Sequence, residues 1–166
     1  MAANDIKVLN SAYGTRQFPT EANVDLGLAG GDAVKLAGTG ANYATIILDG
    51  DPEQGTDIFL GVTKNDGSQT ATANGVVDVE IVGPGSVLQG KMNTPANADT
   101  AAELLGIIGD YVTFDRSAAT AAGILTIDEN EGSDNDVHGL FILGGDIVKG
   151  TLDVFCAQAN IWRGAV

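Results

Sequence analysis

Cysteine, histidine and basic residues are all scarce in this chain. The single cysteine, Cys156, excludes an intrachain disulfide, and its apolar neighbours in LDVFCAQ predict a buried side chain rather than a reactive thiol. The single histidine, His138, excludes zinc motifs that need a pair of histidines. Eight basic residues against 22 acidic ones give a net charge of −14. Because that charge repels phosphate and anionic lipid, we expect neither nucleic acid nor a membrane as partner.

Long apolar runs and aromatic residues are also rare. No stretch approaches the ~20 apolar residues of a membrane span, and MAANDIKVLN lacks the apolar run of a signal peptide, so we expect synthesis in a cytoplasm. Aromatic residues make up 5% of the chain, whereas glycine occurs 23 times. This composition is typical of many short strands joined by turns.

The stretch Gly55 to Met92 carries the clearest strand pattern. Apolar residues alternate at 58, 60 and 62 and again at 77, 79 and 81, which predicts strands with one face in a core and one in water. Gly83-Pro84-Gly85 predicts a tight turn into a third strand that ends near Met92. Together they predict one antiparallel unit.

Other segments extend this β pattern and add one helix. A Gly-Asp pair followed by β-branched residues occurs at Gly31, Gly109 and Gly145, and predicts a turn that opens a strand each time. Thr100 and Glu103 form a capping box that predicts a short helix over 100–108. Further strands are predicted at 5–9, 43–48, 111–115, 123–128, 137–143 and 151–157. We expect a mainly β fold: a small antiparallel β-barrel or sandwich with one short helix.

Residues 1–28 differ from the barrel domain predicted over 29–166. They mix aromatic and small polar residues without a sustained period, which indicates either an irregular segment packed on its own domain or an extended N-terminal arm that binds a partner. In the second interpretation the binding residues are Lys7, Tyr13, Arg16 and Phe18. Deleting residues 2–24 should then leave a folded barrel, because the alternating core segments start only at Ala33.

The C-terminal pair Trp162 and Arg163 has two interpretations. The only tryptophan either closes the core or, with the arginine, anchors an interface, since both residue types are enriched at binding hot spots.

Motifs that carry chemistry are hard to find. The chain has no Gly-x-Ser-x-Gly nucleophile elbow and no phosphate-binding loop. The acidic run 128–136 resembles a calcium loop at Asp128 and Asn130, but Gly132 stands where a ligand is needed. We expect no enzyme activity, no cofactor and no metal site.

The N-terminal segment, the glycine-rich acidic β pattern, the recurrent Gly-Asp strand starts and the phrase DIFLGVTKNDG resemble the capsid decoration (cement) proteins of tailed bacteriophages. The resemblance covers roughly residues 28–157 as a pattern. It implies a structural protein of the virion that binds the major capsid protein on the outer surface of an icosahedral head, often as a homotrimer, and stabilises the shell. It transfers no site residues.

Two other functions stay open at this level. One is an acidic calcium- or carbohydrate-binding β-sandwich module, and the other is an enzyme on a small barrel. Calcium-dependent melting would favour the module, and co-sedimentation with capsids would favour the decoration protein.

Overall fold

The computed structural model describes residues 6–22, 29–36, 43–47, 58–118, 123–130 and 140–157. Within these ranges the chain forms eleven strands, one 3₁₀ helix and one α-helix, so the predicted mainly β class is confirmed. In chain order the elements are β1 (Lys7–Asn10), β2 (Thr15–Thr20), β3 (Ala33–Leu36), β4 (Ala44–Ile46), β5 (Ile58–Thr63), β6 (Gly75–Ile81), β7 (Val87–Lys91), the 3₁₀ helix (Pro95–Ala98), α1 (Ala101–Ile107), β8 (Thr113–Arg116), β9 (Leu125–Asp128), β10 (Leu140–Asp146) and β11 (Thr151–Cys156).

Five strands close into a barrel in the order β2-β4-β3-β5-β6. Its pairs are antiparallel except for the parallel contact between β2 and β4, which joins Thr20 to Ala44 and closes the barrel. The barrel has its own small core, in which Phe18, Leu36 and Ile58 are partly buried around a fully packed centre of Val34, Ala44, Ile46, Leu60, Val77, Val79 and Ile81.

A second sheet, in the order β1-β7-β11-β10, packs with the β8–β9 ribbon against the outside of the barrel. Strand β5 serves both cores: Leu60 enters the barrel, while Phe59 and Val62 enter the second core, where Phe59 lies 5.7 Å from Phe114 between ring centroids. The prediction that β5 has one face in water is therefore wrong. Its apolar residues occupy both faces because a second layer covers the barrel wall there.

The turn at Gly83-Pro84-Gly85 connects the two sheets rather than two neighbouring strands. Strand β6 lies in the barrel and β7 in the second sheet, so the predicted single antiparallel unit is wrong beyond residue 81. The turn is closed by the Ser86 amide, which donates to the Gly83 carbonyl at 3.0 Å, and Gly85 takes a φ of 88°. Its outer side is held by β11, because the Gly85 amide donates to the Cys156 carbonyl at 3.0 Å.

The described part of the N-terminal segment is built into both sheets. Strand β1 pairs antiparallel with β7, and β2 pairs with β6 over six register positions, from Thr15 opposite Glu80 to Thr20 opposite Gly75. Ile6 is 2% exposed and belongs to the second core. Over residues 6–22 the prediction of an extended arm is therefore wrong, because these residues supply pairing and apolar contacts that complete the fold.

The Gly-Asp pairs form a turn that leads into the sheet, as predicted, at two of the three positions. Gly31 and Gly109 adopt φ of 90° and 92°, values that favour glycine, and each precedes a segment that enters the sheet. At the third site, Gly145 and Asp146 end β10 instead of opening a strand. There the Asp146 side chain accepts the Val148 amide at 3.0 Å and shapes the following turn.

The predicted helix and its capping box are confirmed. Thr100 Oγ1 accepts the Glu103 amide at 3.3 Å, and the Glu103 carboxylate accepts the Thr100 amide at 3.1 Å. Leu104 and Ile107 pack partly buried against the second core. The helix therefore lies along the second sheet beside β10.

A buried ion pair ties the barrel to the ribbon. The Arg116 guanidinium donates to the Asp32 carboxylate at 3.0 Å, and both side chains are fully buried. Arg116 also donates to the carbonyls of Ile47 at 2.8 Å and Gly123 at 3.1 Å. Burial raises the pKa of Asp32, and the Arg116 charge opposes this rise. Arg116 thus holds the segments around Asp32, Ile47 and Gly123 in fixed positions relative to one another.

Cys156 is fully buried, as predicted. Burial in the second core raises the pKa of its thiol to about 12. A thiol with this pKa stays protonated and unreactive at neutral pH.

Candidate functional site: an exposed apolar face

Exposed apolar side chains concentrate at one edge of the second sheet. Of the nine large hydrophobic residues that are exposed in the described part of the chain, five belong to α1, β10 and the turns that follow them. We call this group the docking face: Leu105, Ile108, Leu143, Ile147 and Val148.

The helix contributes Leu105, and Ile108 follows it directly at the C-cap, where the backbone is already extended. Neither belongs to the pair Leu104 and Ile107, which packs against the second core. Leu105 is 70% exposed and Ile108 is 43% exposed. Two hydrogen bonds hold the end of this segment against β10: the Gly109 amide donates to the Ile142 carbonyl, and the Ile142 amide donates to the Asp110 carbonyl, both at 2.9 Å.

Strand β10 is one of the two edge strands of its sheet and contributes Leu143. The register between β10 and β11 shifts between Ile142 and Gly144, so Leu143 is an extra residue in the ladder. Such a bulge redirects side chains locally, and the Leu143 side chain is 45% exposed while Ile142 is fully buried.

The turn after β10 presents Ile147 and Val148 at its tip. Val148 is 92% exposed, the highest value among the exposed large hydrophobic residues. Asp146 organises the tip: its carboxylate accepts the amides of Val148 and Lys149 and forms an ion pair with Lys149 Nζ at 2.7 Å. The hydrogen bond from Lys149 lowers the pKa of Asp146, so the ion pair between the two side chains persists at neutral pH.

The charges around the docking face are mainly acidic. Four acidic residues belong to the helix and the adjoining turns, against one basic residue: Asp99, Glu103, Asp110 and Asp146, with Lys149. A hydrogen bond with Glu103 raises the pKa of Asp99, whereas the Thr100 hydroxyl lowers the pKa of Glu103. An apolar centre with an acidic surround is complementary to a protein surface whose apolar centre has lysine or arginine around it.

Of the residues predicted to bind a partner, the four that the structure describes are divided between β1, β2 and the turn that joins them. Lys7 is exposed on β1 of the second sheet, whereas Arg16 is exposed on β2 of the barrel and donates to the Thr15 carbonyl at 3.1 Å. Phe18 is partly buried against the barrel core. Trp162 and Arg163 lie outside the described residues. Partner binding by these residues stays a prediction.

Tyr13 has an internal role in the structure. Its hydroxyl donates to the Pro84 carbonyl at 3.1 Å, and its ring lies so close to Gly83 that a Cβ there would come within 2.3 Å of it. The ring thus covers the turn between the two sheets and remains 41% exposed.

The start of the acidic run is used inside the protein. Glu129 is 4% exposed, and its carboxylate accepts the amides of Asn93 and Thr94 at 3.2 and 3.0 Å and the Asn97 side chain at 3.0 Å. Burial raises its pKa, and these donors oppose the rise. Residues 131–136, with most of the proposed calcium loop, lie outside the described part. Within that part no three acidic, histidine or cysteine side chains form a group that could hold a metal ion.

Sequence reasoning missed the docking face, although two signals were available. The run Leu104-Leu105-Gly106-Ile107-Ile108 holds more apolar residues than one side of a seven-residue helix buries. Ile147 and Val148 form an apolar pair inside a turn, where polar residues are usual.

Comparisons with known proteins do not assign the chain to a group: no protein family matches it, and no curated protein is significantly similar to it. None of the described helices is long and apolar enough to cross a membrane.

Proposed function

We propose that this chain is a capsid decoration protein, which binds the outer surface of the icosahedral head of a tailed bacteriophage and stabilises the shell. The observation that carries the proposal is the docking face. Clusters of exposed apolar side chains often mark binding surfaces. These five residues belong to α1, β10 and the turns that follow them, and α1 contacts β10, on a chain with a net charge of −14. Its partner would be the major capsid protein.

The rigidity of the face supports a structural role. The helix is capped at its N-terminus, the end of the helix is hydrogen-bonded to β10, and Asp146 fixes the tip. A preorganised surface loses little conformational entropy on binding. A head offers the same binding surface many times, and a homotrimer would present three docking faces together. Binding of several faces at once would therefore give a high overall avidity even if the affinity of each single contact is modest.

The test is co-sedimentation with purified heads that lack the protein. We expect the wild-type chain to pellet with the heads, to saturate at a fixed number of copies per shell and to raise the temperature at which the shells disassemble. Failure of the wild-type chain to pellet at micromolar concentration would overturn the proposal.

Two matched variants locate the contact. Leu143→Asp places a charge on the docking face and should weaken head binding by at least tenfold. Ile124→Asp places the same charge at a site of similar exposure, 48% against 45% for Leu143, but away from the face. Equal loss of binding in both variants, or in neither, would count against the docking face.

A further inference from the structure

The joint between β2 and β4 has the fewest strand pairs in the barrel. It consists of one parallel pair, Thr20 opposite Ala44. The four antiparallel joints among the described residues contain three to six pairs each. A parallel pair is also slightly less stable per residue than an antiparallel one. This joint, which we call the seam, is therefore the weakest connection in the barrel wall.

The proline in β2 prevents a longer ladder at the seam. The Ser68 amide donates to the Val76 carbonyl and the Val76 amide donates to Ser68 Oγ, both at 2.9 Å, so the backbone groups of Val76 face away from β2. Because opposite residues of an antiparallel pair both face their joint or both face away from it, Pro19 opposite Val76 faces away from β6 and toward β4. Its carbonyl can accept the Ala44 amide, but it has no amide to donate. Proline in this orientation is typical of the open side of an edge strand.

The side chain of Asn74 bridges the seam. Its Oδ1 accepts the Ala22 amide at 2.9 Å, just after β2, and its Nδ2 donates to the Tyr43 hydroxyl at 3.1 Å, just before β4. Asn74 is exposed, so water can replace both hydrogen bonds when the strands separate. The bridge therefore stabilises the closed barrel only modestly.

The other end of β4 is fixed. The Ile47 amide donates to the Ala33 carbonyl at 3.3 Å, and the Ile47 carbonyl accepts the buried Arg116 guanidinium at 2.8 Å. Strands β3 and β4 are joined by three pairs and therefore move together. A small outward bend of these two strands, with Ile47 held in place, separates Ala44 from Thr20 and keeps every antiparallel joint.

We propose that the barrel opens and closes at the seam in solution. In the open form Ala44 leaves Thr20, the five strands remain an antiparallel sheet in the order β4-β3-β5-β6-β2, and one side of the barrel core becomes accessible to solvent. Asn74 stabilises the closed form. The proposal goes beyond head binding, since the docking face belongs to the second sheet and the helix beside it.

Amide hydrogen exchange of the wild-type protein, measured by NMR under native conditions, tests the opening. We expect the Ala44 amide to exchange at least tenfold faster than the Val77 amide, which lies in the six-pair joint between β2 and β6, because a local opening costs less free energy than global unfolding. Low concentrations of urea should accelerate the exchange of Val77 more than that of Ala44, since the opening exposes less surface. Equal exchange rates at the two positions would overturn the proposal.

Two matched variants test the role of Asn74. Asn74→Ala removes both hydrogen bonds across the seam and should raise the exchange rate of Ala44 about threefold to tenfold, while the rate of Val154 in the second sheet stays unchanged. Asn65→Ala is the control, because Asn65 is also exposed and its side chain makes two hydrogen bonds to Asp78, at 2.9 and 3.0 Å, on the β5 side of β6. It should leave the exchange of Ala44 unchanged. An unchanged Ala44 rate in Asn74→Ala, the same increase in Asn65→Ala, or an equal increase at Val154 would each overturn a seam held by Asn74.

Discussion

Deleting residues 2–24 should unfold or severely weaken the protein. The deletion removes β1 and β2 and so takes Ile6 from the second core and Phe18 from the barrel. Full burial of such a side chain contributes roughly 1.5–3 kcal/mol, which gives about 2 kcal/mol for Ile6 and about 1 kcal/mol for the partly buried Phe18. Without β2 the barrel also opens, and Val77 and Val79 become partly exposed, which lowers the free energy of unfolding by about 1 kcal/mol for each.

The sum is about 5 kcal/mol, against a total stability of roughly 5–15 kcal/mol for an ordinary domain. Urea unfolding followed by circular dichroism measures the loss. Deleting only residues 2–5 is the matched control, because it leaves every described contact of β1 and β2 in place. A cooperative transition with an unchanged midpoint after deletion of 2–24 would show that the segment is dispensable, and the account of a barrel closed by β2 would be refuted.

Three further changes test the interior. Gly61→Ala should cost at least 3 kcal/mol in urea unfolding, because a Cβ there would lie 2.0 Å from a backbone oxygen of β6 at a φ of 149°. Gly106→Ala, in the last turn of α1 where a Cβ meets open space, should instead stabilise by about 0.5–1 kcal/mol. Equal effects would contradict the tight contact between β5 and β6. Asp32→Ala leaves the Arg116 charge buried without its carboxylate and should cost about 3–5 kcal/mol, and a loss below about 1 kcal/mol would mean that water reaches the pair. Burial raises the pKa of Glu129 in the folded protein, so between the ordinary glutamate pKa and this raised value the folded protein holds a proton that the unfolded chain has released. The stability of the wild-type protein should therefore fall as pH rises through this range. Glu129→Gln should flatten that part of the curve of urea midpoint against pH, and an unchanged slope would contradict the raised pKa.

The sequence was informative where one local signal decides the structure. Thr100 and Glu103 cap α1 through contacts within one turn, so the helix could be predicted. The alternation of Val77, Val79 and Ile81 reflects burial on one side of β6, and it too was read correctly. Such signals depend on neighbours in the sequence, and no knowledge of the tertiary arrangement is needed to interpret them.

The predictions that were wrong concern features that depend on how the two sheets pack against each other. Phe59 and Leu60 face different cores, and their alternation cannot show that a second sheet covers the outer side of β5. Similarly, the turn at Gly83 is compatible with a hairpin or with a crossing between sheets, and only the pairing of β7 with β1 and β11 distinguishes them. The N-terminal segment was misread because its strands are short and its apolar residues enter two different cores.

The two sequence signals for the docking face were not enough to locate it, for a related reason. Exposure of Leu143 follows from a register shift between β10 and β11, which depends on the partner strand. Val148 stands at the tip of a turn whose form depends on the Asp146 carboxylate. Neither residue differs in type from the core residues beside it.

The most direct measurement of the central claim is a cryo-electron microscopy reconstruction of heads decorated with this protein. The account predicts density for the chain on the outer shell surface, with Leu105, Leu143 and Val148 against the major capsid protein and basic side chains of the shell opposite Asp110 and Asp146. Density in which α1 and the β10–β11 turn point to solvent, or heads that carry no added density at saturating protein, would contradict it.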